Sequence, residues 1–298
     1  MRPQPSERPR RVLVTGSSGQ LGSCLIDMAP PAWDVVGVDR DTMDLTDTVA
    51  LRDLVSSQRP EVIINCAAFT DVDAAQTQQQ ACWDVNVAVP EALASAATTT
   101  GARLIHISTD YVFDGTATSP YAETAPVSGL GVYGRSKAAG EAAALAVDAT
   151  ATIVRTAWLY APCGRNFVAT VLRLAAAGGA LRIVDDQFGQ PTFARDVAGR
   201  IVDMIDRNIQ PGIYHATNSG QATWFDFASE ILRLWGYNNA LQPISSGELQ
   251  RPAPRPAFSV LGHEGWRATG LPPLRDWRSA LASARRDFGD QFAGADGA

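Results

Sequence analysis

The sequence predicts an α/β fold built on a doubly wound parallel sheet, with a smaller, irregular α/β lobe toward its C-terminal end. Two observations carry this prediction: short apolar strands alternate with helices through the first half, and the alternation becomes irregular after Trp158. Such alternation is typical of βαβ units, whose parallel sheet is covered by helices on both faces. Because the crossovers are right-handed, the expected result is a Rossmann-type sheet.

Each element follows from its own pattern. Five short apolar runs of the first half are predicted to be strands, at 11–16, 33–38, 61–65, 103–108 and 152–156. Helices are predicted from spacing or alanine content at 20–28, 46–57, 82–100 and 136–147. In the second half, helices are predicted at 166–177, 195–209, 224–235 and 276–287, and strands at 181–184 and 212–215. The stretch 250–257, QRPAPRPA, excludes a helix because its prolines recur at every second position.

The composition limits the class of protein. Of 298 residues, 46% are hydrophobic and 19% charged, which excludes a disordered chain. A net charge of −6 offers no basic surface to nucleic acid or to an anionic membrane. No apolar run approaches the roughly 18 residues of a transmembrane helix, and no signal peptide precedes the first strand. The cysteines form no CxxC pair, so reduced thiols in a cytoplasmic protein are expected at Cys24, Cys66, Cys82 and Cys163.

A glycine-rich loop follows the first predicted strand, with Gly16, Gly19 and Gly22 spaced three residues apart. Glycine permits a tight turn there and lets backbone N–H groups at a helix N-terminus approach a pyrophosphate. Its place between a strand and a helix supports a dinucleotide-binding loop. The spacing is that of the short-chain dehydrogenase/reductase superfamily, so the expected cofactor is NADPH or NADH.

The end of the second strand gives two conflicting signals about that cofactor. Asp39 is placed to accept hydrogen bonds from the adenosine ribose hydroxyls and to repel a 2′-phosphate. Arg40 follows directly and is able to bind the same phosphate. The preference between NADH and NADPH therefore stays open.

Tyr133 and Lys137 form a YxxxK pair on one face of a predicted helix. Lys137 is the only Lys in the chain, whereas Arg occurs 24 times. Because Arg cannot deprotonate and has a different shape, a Lys retained here indicates a site that needs a compact charge. A neighbouring ammonium is expected to lower the pKa of the Tyr133 phenol and to hold the nicotinamide ribose.

Further polar residues lie near the expected crevice. Thr109, at the carboxyl end of the fourth strand, is placed to polarise a substrate carbonyl beside Tyr133. Asn86 is a candidate for a polar chain behind Lys137, with a simple helix contact as the alternative. His106 is interpreted as a core imidazole with satisfied hydrogen bonds. No Ser/His/Asp set or metal cluster emerges, so hydrolase chemistry has no support.

These motifs together resemble the dTDP-4-dehydrorhamnose reductases, a family of extended short-chain reductases. The similar segments are VTGSSGQLG, NCAAFTDVDAAQ, HISTDYVFDG, VYGRSKAAGE, RTAWLYA, DDQFGQPT and RPAPRP, and they cover about residues 11–285 in order. The resemblance implies transfer of hydride from NAD(P)H to C4 of dTDP-6-deoxy-L-lyxo-4-hexulose, which yields dTDP-L-rhamnose. The expected partner is thus a dTDP-linked 4-keto-6-deoxy hexose.

The resemblance also implies roles for individual residues. Tyr133 matches the proton donor, Lys137 matches the residue that adjusts the pKa of that donor, and Thr109 matches the contact to the substrate carbonyl. Cofactor contacts are implied at Gly19, Gln20, Leu21, Asp39, Asp44, Leu45, Ala68, Phe69 and Thr70. Substrate contacts are implied at Thr109, Asp110 and Trp158, and at Arg255 near the nucleotide diphosphate.

The chain departs from the family pattern at two places. Phe258 precedes Ser259 where the family usually has Asn, which affects one nucleotide contact. Some family members bind Mg²⁺ through acidic residues at positions that are Cys24 and Arg195 here. A thiol is a soft ligand and a guanidinium has no lone pair, so Mg²⁺ is not expected. The expected assembly is a monomer or a metal-independent homodimer.

Three alternatives remain at the level of sequence. A sugar-nucleotide 4,6-dehydratase would need Glu after Asp110, where this chain has Tyr111. A reductase of another dTDP-4-keto-6-deoxy sugar fits the same motifs. A non-catalytic nucleotide-binding regulatory subunit is disfavoured by the intact set of Thr109, Tyr133 and Lys137.

The expected domain division follows from the motifs. Residues 11–160 and about 192–216 are predicted to form the NAD(P)-binding domain. Residues 161–191 and 217–298 are predicted to form the lobe that binds the dTDP-sugar. Residues 1–10 are predicted to be a disordered tail, and the final FAGADGA is expected to fray.

Overall fold

A computed structural model describes residues 8–294 of the chain. The predicted tails fall largely on residues 1–7 and 295–298, which lie outside the described residues. Two positions predicted to be in the tails are nevertheless ordered: Arg10 starts the first strand, and Phe292 is only 1% exposed within the last helix. Phe292 is held there because its ring packs against Tyr160 and Trp235.

The elements of the described residues follow in chain order. The strands are β1 (Arg10–Thr15), β2 (Trp33–Val38), β3 (Val62–Asn65), β4 (Arg103–Thr109), β5 (Thr152–Thr156), β6 (Leu159–Tyr160), β7 (Leu181–Val184), β8 (Phe188–Gly189), β9 (Thr192–Phe193), β10 (Ile213–His215), β11 (Asn218–Ser219), β12 (Ala222–Thr223), β13 (Leu241–Ile244) and β14 (Leu274–Asp276). The α-helices are α1 (Gln20–Asp27), α2 (Thr48–Gln58), α3 (Gln79–Trp83), α4 (Val89–Thr100), α5 (Val132–Val147), α6 (Phe167–Ala176), α7 (Ala194–Asp206), α8 (Trp224–Trp235), α9 (Glu264–Thr269) and α10 (Trp277–Gly294). Within residues 8–294, no helix is long and apolar enough to cross a membrane.

The central sheet has six parallel strands in the order β2-β1-β3-β4-β5-β10. This confirms the predicted parallel, doubly wound α/β class. The chain leaves β1 toward β2 on one side and later places β3 on the other side, so strand order reverses between β1 and β3. In such sheets a ligand binds at the carboxyl ends of the strands beside this reversal.

Side chains alternate between the two faces of the sheet. Leu13, Ile63 and Leu104 point toward the core under α2, α4 and α5. Val12 and Val14 point toward the opposite core, under α1 and α7. Both faces are buried, which explains why the strands read as almost continuous apolar runs.

The connection from β3 to β4 differs from the single helix predicted at 82–100. It consists of α3, a π-helical turn at Asp84–Ala88, and α4. A Cβ at Gly140 of α5 would overlap the carbonyl oxygen of Asn86, so glycine lets the widened turn pack closely against α5. Single π turns occur often at functional sites, and this one positions Asn86.

The second half adds short two-stranded sheets, β6-β9, β7-β13, β8-β12 and β11-β14. Around them α6, α8 and α10 enclose a separate core with Tyr160, Phe193, Phe227 and Trp277 at its centre. Most of these two-residue strands, and the helix α9, have no counterpart in the sequence prediction. Their pairing partners lie far away in the chain, so local periodicity carries no signal for them.

Candidate active site

The glycine loop turns tightly at the carboxyl end of β1. Gly16 has φ +66°, and a Cβ there would lie 2.7 Å from the backbone nitrogen of Ala67. A Cβ at Gly22 would overlap the carbonyl oxygen of Gly16. Gly19 precedes α1 and leaves its first N–H groups without a side-chain cap. Such a cradle, at the point where strand order reverses, fits a pyrophosphate.

The residues that open α1 are fixed in different ways. The Gln20 amide donates to the carbonyl oxygen of Arg165 at 3.3 Å. Leu21 is only 5% exposed in the core, and Leu45 after β2 is similarly buried in the opposite core. Any contact of these two leucines with a cofactor therefore comes mainly from the backbone.

Asp39 lies directly after β2 at the rim of the glycine loop. Its carboxylate accepts hydrogen bonds from Ser17 Oγ and Thr42 Oγ1, both at 3.2 Å, and from the N–H of Asp41 at 3.1 Å. Desolvation raises the pKa of Asp39, but these hydrogen bonds and one from Ser18 outweigh it, so the pKa is lowered. The carboxylate is thus ionised beside the loop. Arg40 is exposed next to it.

Asp44 stands further along the same loop and is exposed. Its carboxylate accepts from the N–H and the hydroxyl of Thr46 at 2.9 and 2.6 Å. These bonds lower the pKa of Asp44. A second fixed negative charge therefore borders the predicted cofactor site.

The loop after β3 carries the remaining predicted cofactor positions, Ala68, Phe69 and Thr70. Asn86 clamps this loop: its Oδ1 accepts from the N–H of Phe69 at 2.9 Å, and its Nδ2 donates to the Phe69 carbonyl at 3.2 Å. The Asn86 Nδ2 also donates to Ser136 Oγ at 3.0 Å. These hydrogen bonds go to the cofactor loop and to Ser136 and none joins Asn86 directly to Lys137, so its place in a polar chain behind Lys137 stays a prediction.

Tyr133 and Lys137 lie one turn apart on α5, and both are buried, at 8% and 2% exposure. Lys137 Nζ donates to the carbonyl oxygen of Ile107 at 2.7 Å and lies 3.4 Å from His106 Nε2. The Tyr133 ring packs edge-on against Tyr111 with centroids 5.6 Å apart. The helix begins at Val132, four residues earlier than predicted, so Tyr133 is held within its first turn.

The charges at this pair differ from the sequence prediction. Burial raises the pKa of Tyr133, and a hydrogen bond with Thr109 only partly opposes this. The predicted lowering of that pKa by Lys137 was wrong, because Lys137 Nζ is engaged by Ile107 and burial dominates. Burial also lowers the pKa of Lys137 to about 8, against the opposing pull of Glu141. Tyr133 is therefore a neutral phenol, the form that can donate a proton.

Thr109 and Asp110 terminate β4 beside Tyr133. The Thr109 hydroxyl donates to Asp110 Oδ1 at 3.0 Å and accepts from the N–H of Tyr111 at 3.2 Å. Asp110 is 1% exposed, and its Oδ2 has no hydrogen-bond partner within the described residues. Burial raises the pKa of Asp110 to about 6, although the nearby Ser259 and Thr109 hydroxyls oppose it. A buried acceptor without a partner fits a site that binds a polar ligand.

Trp158 sits on the second-half side of the crevice with a left-handed backbone, φ +46°. Its indole stacks on Trp224 with ring centroids 3.5 Å apart and planes within 7°. A Cβ at Gly189 would overlap the same indole, so glycine makes the room that Trp158 occupies. The Trp158 ring is therefore fixed before any substrate arrives.

Arg255 is held by Asp73, a residue that the sequence analysis did not single out. Its two terminal nitrogens donate to the Asp73 carboxylate at 3.1 and 2.8 Å, and one also donates to the Ala253 carbonyl at 2.9 Å. The N–H of Ala253 donates to Asp73 as well, at 3.1 Å. Asp73 lies three residues beyond Thr70, so the pair joins the cofactor loop to the proline-rich segment 251–257.

Phe258, the departure from the family pattern, lies in the continuation of that segment. Its backbone bridges to Phe188, and its half-buried ring lies 6.4 Å from that of Tyr121. The neighbouring Ser259 is buried, its hydroxyl donates to the Phe188 carbonyl at 3.4 Å, and it lies close enough to Asp110 to lower the pKa of that carboxyl. The segment thus brings the Ser259 side chain to the end of β4 and the Phe258 ring to the aromatic ring of Tyr121.

Cys24 and Arg195, at the positions of the metal-binding acids in some family members, are placed close to each other. Arg195 makes an ion pair with Asp27 and lies 4.9 Å above the Phe288 ring. Burial raises the pKa of the Cys24 thiol to about 12. Across residues 8–294, His, Cys, Asp and Glu form no group of three or more suited to a metal. That Mg²⁺ is not required stays a prediction.

The doubly wound sheet, the glycine cradle and the buried Tyr–Lys pair define a protein of the short-chain dehydrogenase/reductase type. Comparison with known proteins narrows this class. Residues 10–289 match the family model described as the RmlD substrate binding domain. The chain therefore belongs to that family, which is the family of the dTDP-4-dehydrorhamnose reductases, as the sequence motifs predicted.

Several relatives are similar along nearly their whole length. A probable dTDP-4,6-dihydroxy-2-methyloxan-3-one 4-ketoreductase of Streptomyces antibioticus is 46% identical over 93% of this chain and 95% of its own. A dTDP-4-dehydrorhamnose reductase of Streptomyces griseus is 45% identical over 94% of each chain. The crystal structure of dTDP-4-dehydrorhamnose reductase from Bacillus anthracis in complex with NADP superposes with a TM-score of 0.90, at 34% identity over 95% of this chain and 99% of its own.

Proposed function

We propose that the protein reduces the C4 ketone of a dTDP-linked 4-keto-6-deoxy hexose with NADPH or NADH. Within this class, dTDP-6-deoxy-L-lyxo-4-hexulose (dTDP-4-dehydro-6-deoxy-L-mannose), reduced to dTDP-L-rhamnose in the last step of its synthesis, is the substrate that we favour. The observation that carries the proposal is the neutral, buried Tyr133 beside Thr109 and Lys137, next to the glycine cradle.

In the proposed ketone reduction, Tyr133, Thr109 and Lys137 each have a separate role. A reduced nicotinamide, when bound, supplies the hydride that reaches C4. Tyr133 holds at its phenol oxygen the proton that the C4 oxygen must gain, and the Thr109 hydroxyl is placed to hydrogen-bond the same oxygen. Lys137 is placed to hold the nicotinamide ribose. The balance is a ketone plus hydride plus proton, which gives a secondary alcohol.

The cofactor would lie along the loops after β1, β2 and β3. Gly16 and Gly22 leave no space for a Cβ, so the loop packs closely, and Gly19 leaves the first N–H groups of α1 without a side-chain cap. These N–H groups can therefore bind a pyrophosphate. Asp39 faces the position expected for the adenosine ribose and disfavours a 2′-phosphate, whereas Arg40 favours it. We infer acceptance of both cofactors, and the NADP complex of the Bacillus anthracis relative supports NADPH as one of them.

The substrate would extend from Tyr133 toward the second half of the chain. We assign Asp110 and the fixed indole of Trp158 to the sugar, and Arg255 to the diphosphate. We assign the same division to domains: 11–160 and about 192–216 bind the cofactor, and the remaining lobe binds the sugar nucleotide. We further propose a monomer or metal-independent homodimer located in the cytoplasm, and the four unpaired cysteines support that location.

A second substrate has specific support. The 46% identical relative is named as a probable ketoreductase of a different dTDP-sugar. Reduction of another dTDP-4-keto-6-deoxy sugar therefore stands beside the first proposal.

The test uses purified protein with each dTDP-4-keto sugar and follows the loss of NADPH or NADH absorbance. Turnover with the lyxo-4-hexulose, and dTDP-L-rhamnose as the product identified by NMR, is the expected result. Substantially higher kcat/KM for another dTDP-4-keto sugar would support the second substrate. No oxidation of either cofactor with any of these sugars would contradict the reductase function itself.

A further inference from the structure

A ladder of buried polar side chains crosses the central sheet toward Lys137. Thr15, Asn65 and His106 occupy neighbouring register positions on β1, β3 and β4, and each is 0% exposed. They lie on the face that otherwise buries Leu13, Ile63 and Leu104 of the same strands. Polar groups in such surroundings cost free energy unless they are hydrogen-bonded. Their hydrogen bonds therefore indicate what the ladder does.

The orientation of the ladder is fixed by one backbone group. Asn65 Oδ1 accepts from the N–H of Ala67 at 3.2 Å and from Thr15 Oγ1 at 2.7 Å. Because a backbone N–H can only donate, the amide oxygen must face Ala67, and Nδ2 must face the other way. Asn65 Nδ2 lies 3.0 Å from His106 Nδ1. Nδ1 is therefore an acceptor.

This fixes the tautomer of His106. Burial and the nearby charge of Lys137 lower the pKa of His106 well below its usual value, so the imidazole is neutral near pH 7. A neutral imidazole carries one N–H, and with Nδ1 accepting, the hydrogen resides on Nε2. Nε2 in turn lies 3.4 Å from Lys137 Nζ. An N–H donor at this position attracts the lone pair of an amine and repels an ammonium.

We propose that His106 is a positioning residue that presents its Nε2–H to Lys137 and favours the uncharged amine of that side chain. The Ile107 carbonyl, 2.7 Å from Nζ, accepts an N–H from either form and holds the nitrogen in place. Burial lowers the pKa of Lys137 to about 8, and the Nε2–H acts in the same direction, so this side chain exchanges a proton closer to neutral pH than an ordinary lysine does.

The other groups that face Lys137 do not reverse this effect. Glu141, one turn further along α5, favours the ammonium, but Arg155 donates two hydrogen bonds to its carboxylate, at 2.9 and 2.7 Å, and its positive charge offsets this effect. The Cys66 and Cys82 thiols also face Lys137. Burial raises the pKa of Cys66 to about 12, so that thiol is uncharged near pH 7.

The tautomer can be measured in the full-length wild-type protein by ¹⁵N NMR of labelled histidine. The signals of His106 are identified by their loss in H106Q. We expect the pattern of a neutral Nε2–H imidazole that does not change between mildly acidic and alkaline pH. A neutral Nδ1–H pattern would overturn the proposal, because Nε2 would then accept from an ammonium.

The effect on Lys137 can be measured directly, because the chain has a single Lys and ¹³Cε-lysine labelling yields one assignable side-chain signal. The variant N65A keeps the imidazole but releases its tautomer, and H106Q removes the ring. In both we expect the Lys137 midpoint to rise by about one pH unit, the size of one hydrogen bond. H263Q is the matched control, because His263 hydrogen-bonds Thr217 and lies outside the ladder.

An unchanged Lys137 midpoint in folded N65A would overturn the proposal, because a packing role for His106 does not depend on its tautomer. If neither variant folds, the His106 signals are identified by elimination, because the chain has three His and the signals of the other two are lost in H215Q and H263Q, and the wild-type tautomer then decides. The inference rests on the proposed function in one consequence only. If the protein is a reductase, one limb of its kcat–pH profile should shift together with the titration midpoint of Lys137. Both NMR measurements need neither substrate nor cofactor, so absent turnover would contradict the reductase function and leave this inference standing.

Discussion

The Tyr133 phenol keeps its proton because the side chain is buried. The ring is 8% exposed and lies against Tyr111, and burial raises the pKa of the phenol. In an oxidation a high pKa would hinder the group, because it would have to accept a proton as phenolate. In a reduction it keeps the donor protonated at all ordinary pH values. The residue is thus suited to the direction in which we propose that the enzyme works.

Replacement of Tyr133 by Phe should lower kcat by about 10²–10⁴-fold, the usual contribution of a positioned general acid. Cofactor binding should change little, because the ring and its packing remain. Steady-state turnover and a fluorescence titration with NADPH measure the two effects. Tyr160→Phe is the control, because the buried Tyr160 hydroxyl has no hydrogen-bond partner within the described residues. Wild-type kcat in the Tyr133 variant would remove this residue from the mechanism.

Lys137→Arg should be damaging although it keeps a positive charge. Lys137 is 2% exposed, and its Nζ fits between Ile107 O and His106 Nε2. A guanidinium is larger, fans its donors outward and stays charged. We expect loss of most turnover in a folded protein, measured by kcat and by thermal melting. Near-full activity would show that the single Lys of this chain is a coincidence.

Asp39→Ala should shift the cofactor preference toward NADPH on the order of tenfold, because it removes one negative charge facing a 2′-phosphate. The ratio of kcat/KM for NADPH and NADH measures the shift. Asp41→Ala, two residues along the same loop, is the matched control. An unchanged ratio for the Asp39 variant would mean that this carboxylate does not face the adenosine ribose.

At the scale of elements, the segment 251–257 is the connection between the two predicted sites. It is anchored at Asp73, which follows the cofactor loop, and at Gly115, where a Cβ would lie 2.6 Å from Pro256. Proline prevents the segment from forming a helix, so it runs as an irregular chain between these two anchor points. Asp73 engages the terminal nitrogens of Arg255, which leaves the Nε edge of the guanidinium for a phosphate.

Asp73→Asn should therefore raise KM for the sugar nucleotide about tenfold, the loss expected when a charged hydrogen-bonding partner becomes neutral. KM for NADPH and kcat should change little. Affinity for dTDP should fall while affinity for thymidine stays constant, which separates an effect on phosphate binding from general damage. Asp34→Asn is the control, because it removes an exposed ion pair with Arg11 by the same chemical change. Equal losses for dTDP and thymidine would contradict the assigned role of Arg255.

At the scale of the whole molecule, the proposed site draws its residues from around two cores. The sheet with its helices supplies the glycine cradle, Thr109, Tyr133 and Lys137. The core around Tyr160 and Phe227 supports Trp158 through Trp224 and Phe167. A sugar nucleotide that reached from Tyr133 to Arg255 would contact both parts. The whole fold is thus needed to assemble the site, although each part has its own apolar interior.

Removal of divalent metals should leave both activity and mass unchanged. At the positions of the metal-binding acids, Arg195 already pairs with Asp27, and Cys24 is a buried thiol with its pKa raised to about 12. Neither is a ligand that Mg²⁺ favours. Dialysis against EDTA followed by the NADPH assay and light scattering tests this. Activity or oligomer mass that collapses and returns only with Mg²⁺ would identify another site, such as one at Asp185 or Asp186.

The sequence by itself determined the parallel sheet, the glycine loop and the Tyr133–Lys137 pair. These features are local: short continuous apolar runs, glycine between a strand and a helix, and a four-residue spacing each act within a few neighbours. Motif order then identified the family. Element boundaries differed by a few residues, as at α5, because helix ends depend on the segments packed against them.

Only the tertiary structure decided which polar groups meet. Asp73 and Arg255 are 182 residues apart in the chain, and Asn65 and His106 are 41 apart. The Asn65–His106 pair follows from strand register, and the Asp73–Arg255 pair follows from the packing of segment 251–257. No local sequence pattern encodes either contact. Burial decided the charge states for the same reason: spacing predicts that Lys137 is near Tyr133, but desolvation by the assembled core fixes the proton on the phenol and lowers the pKa of the amine.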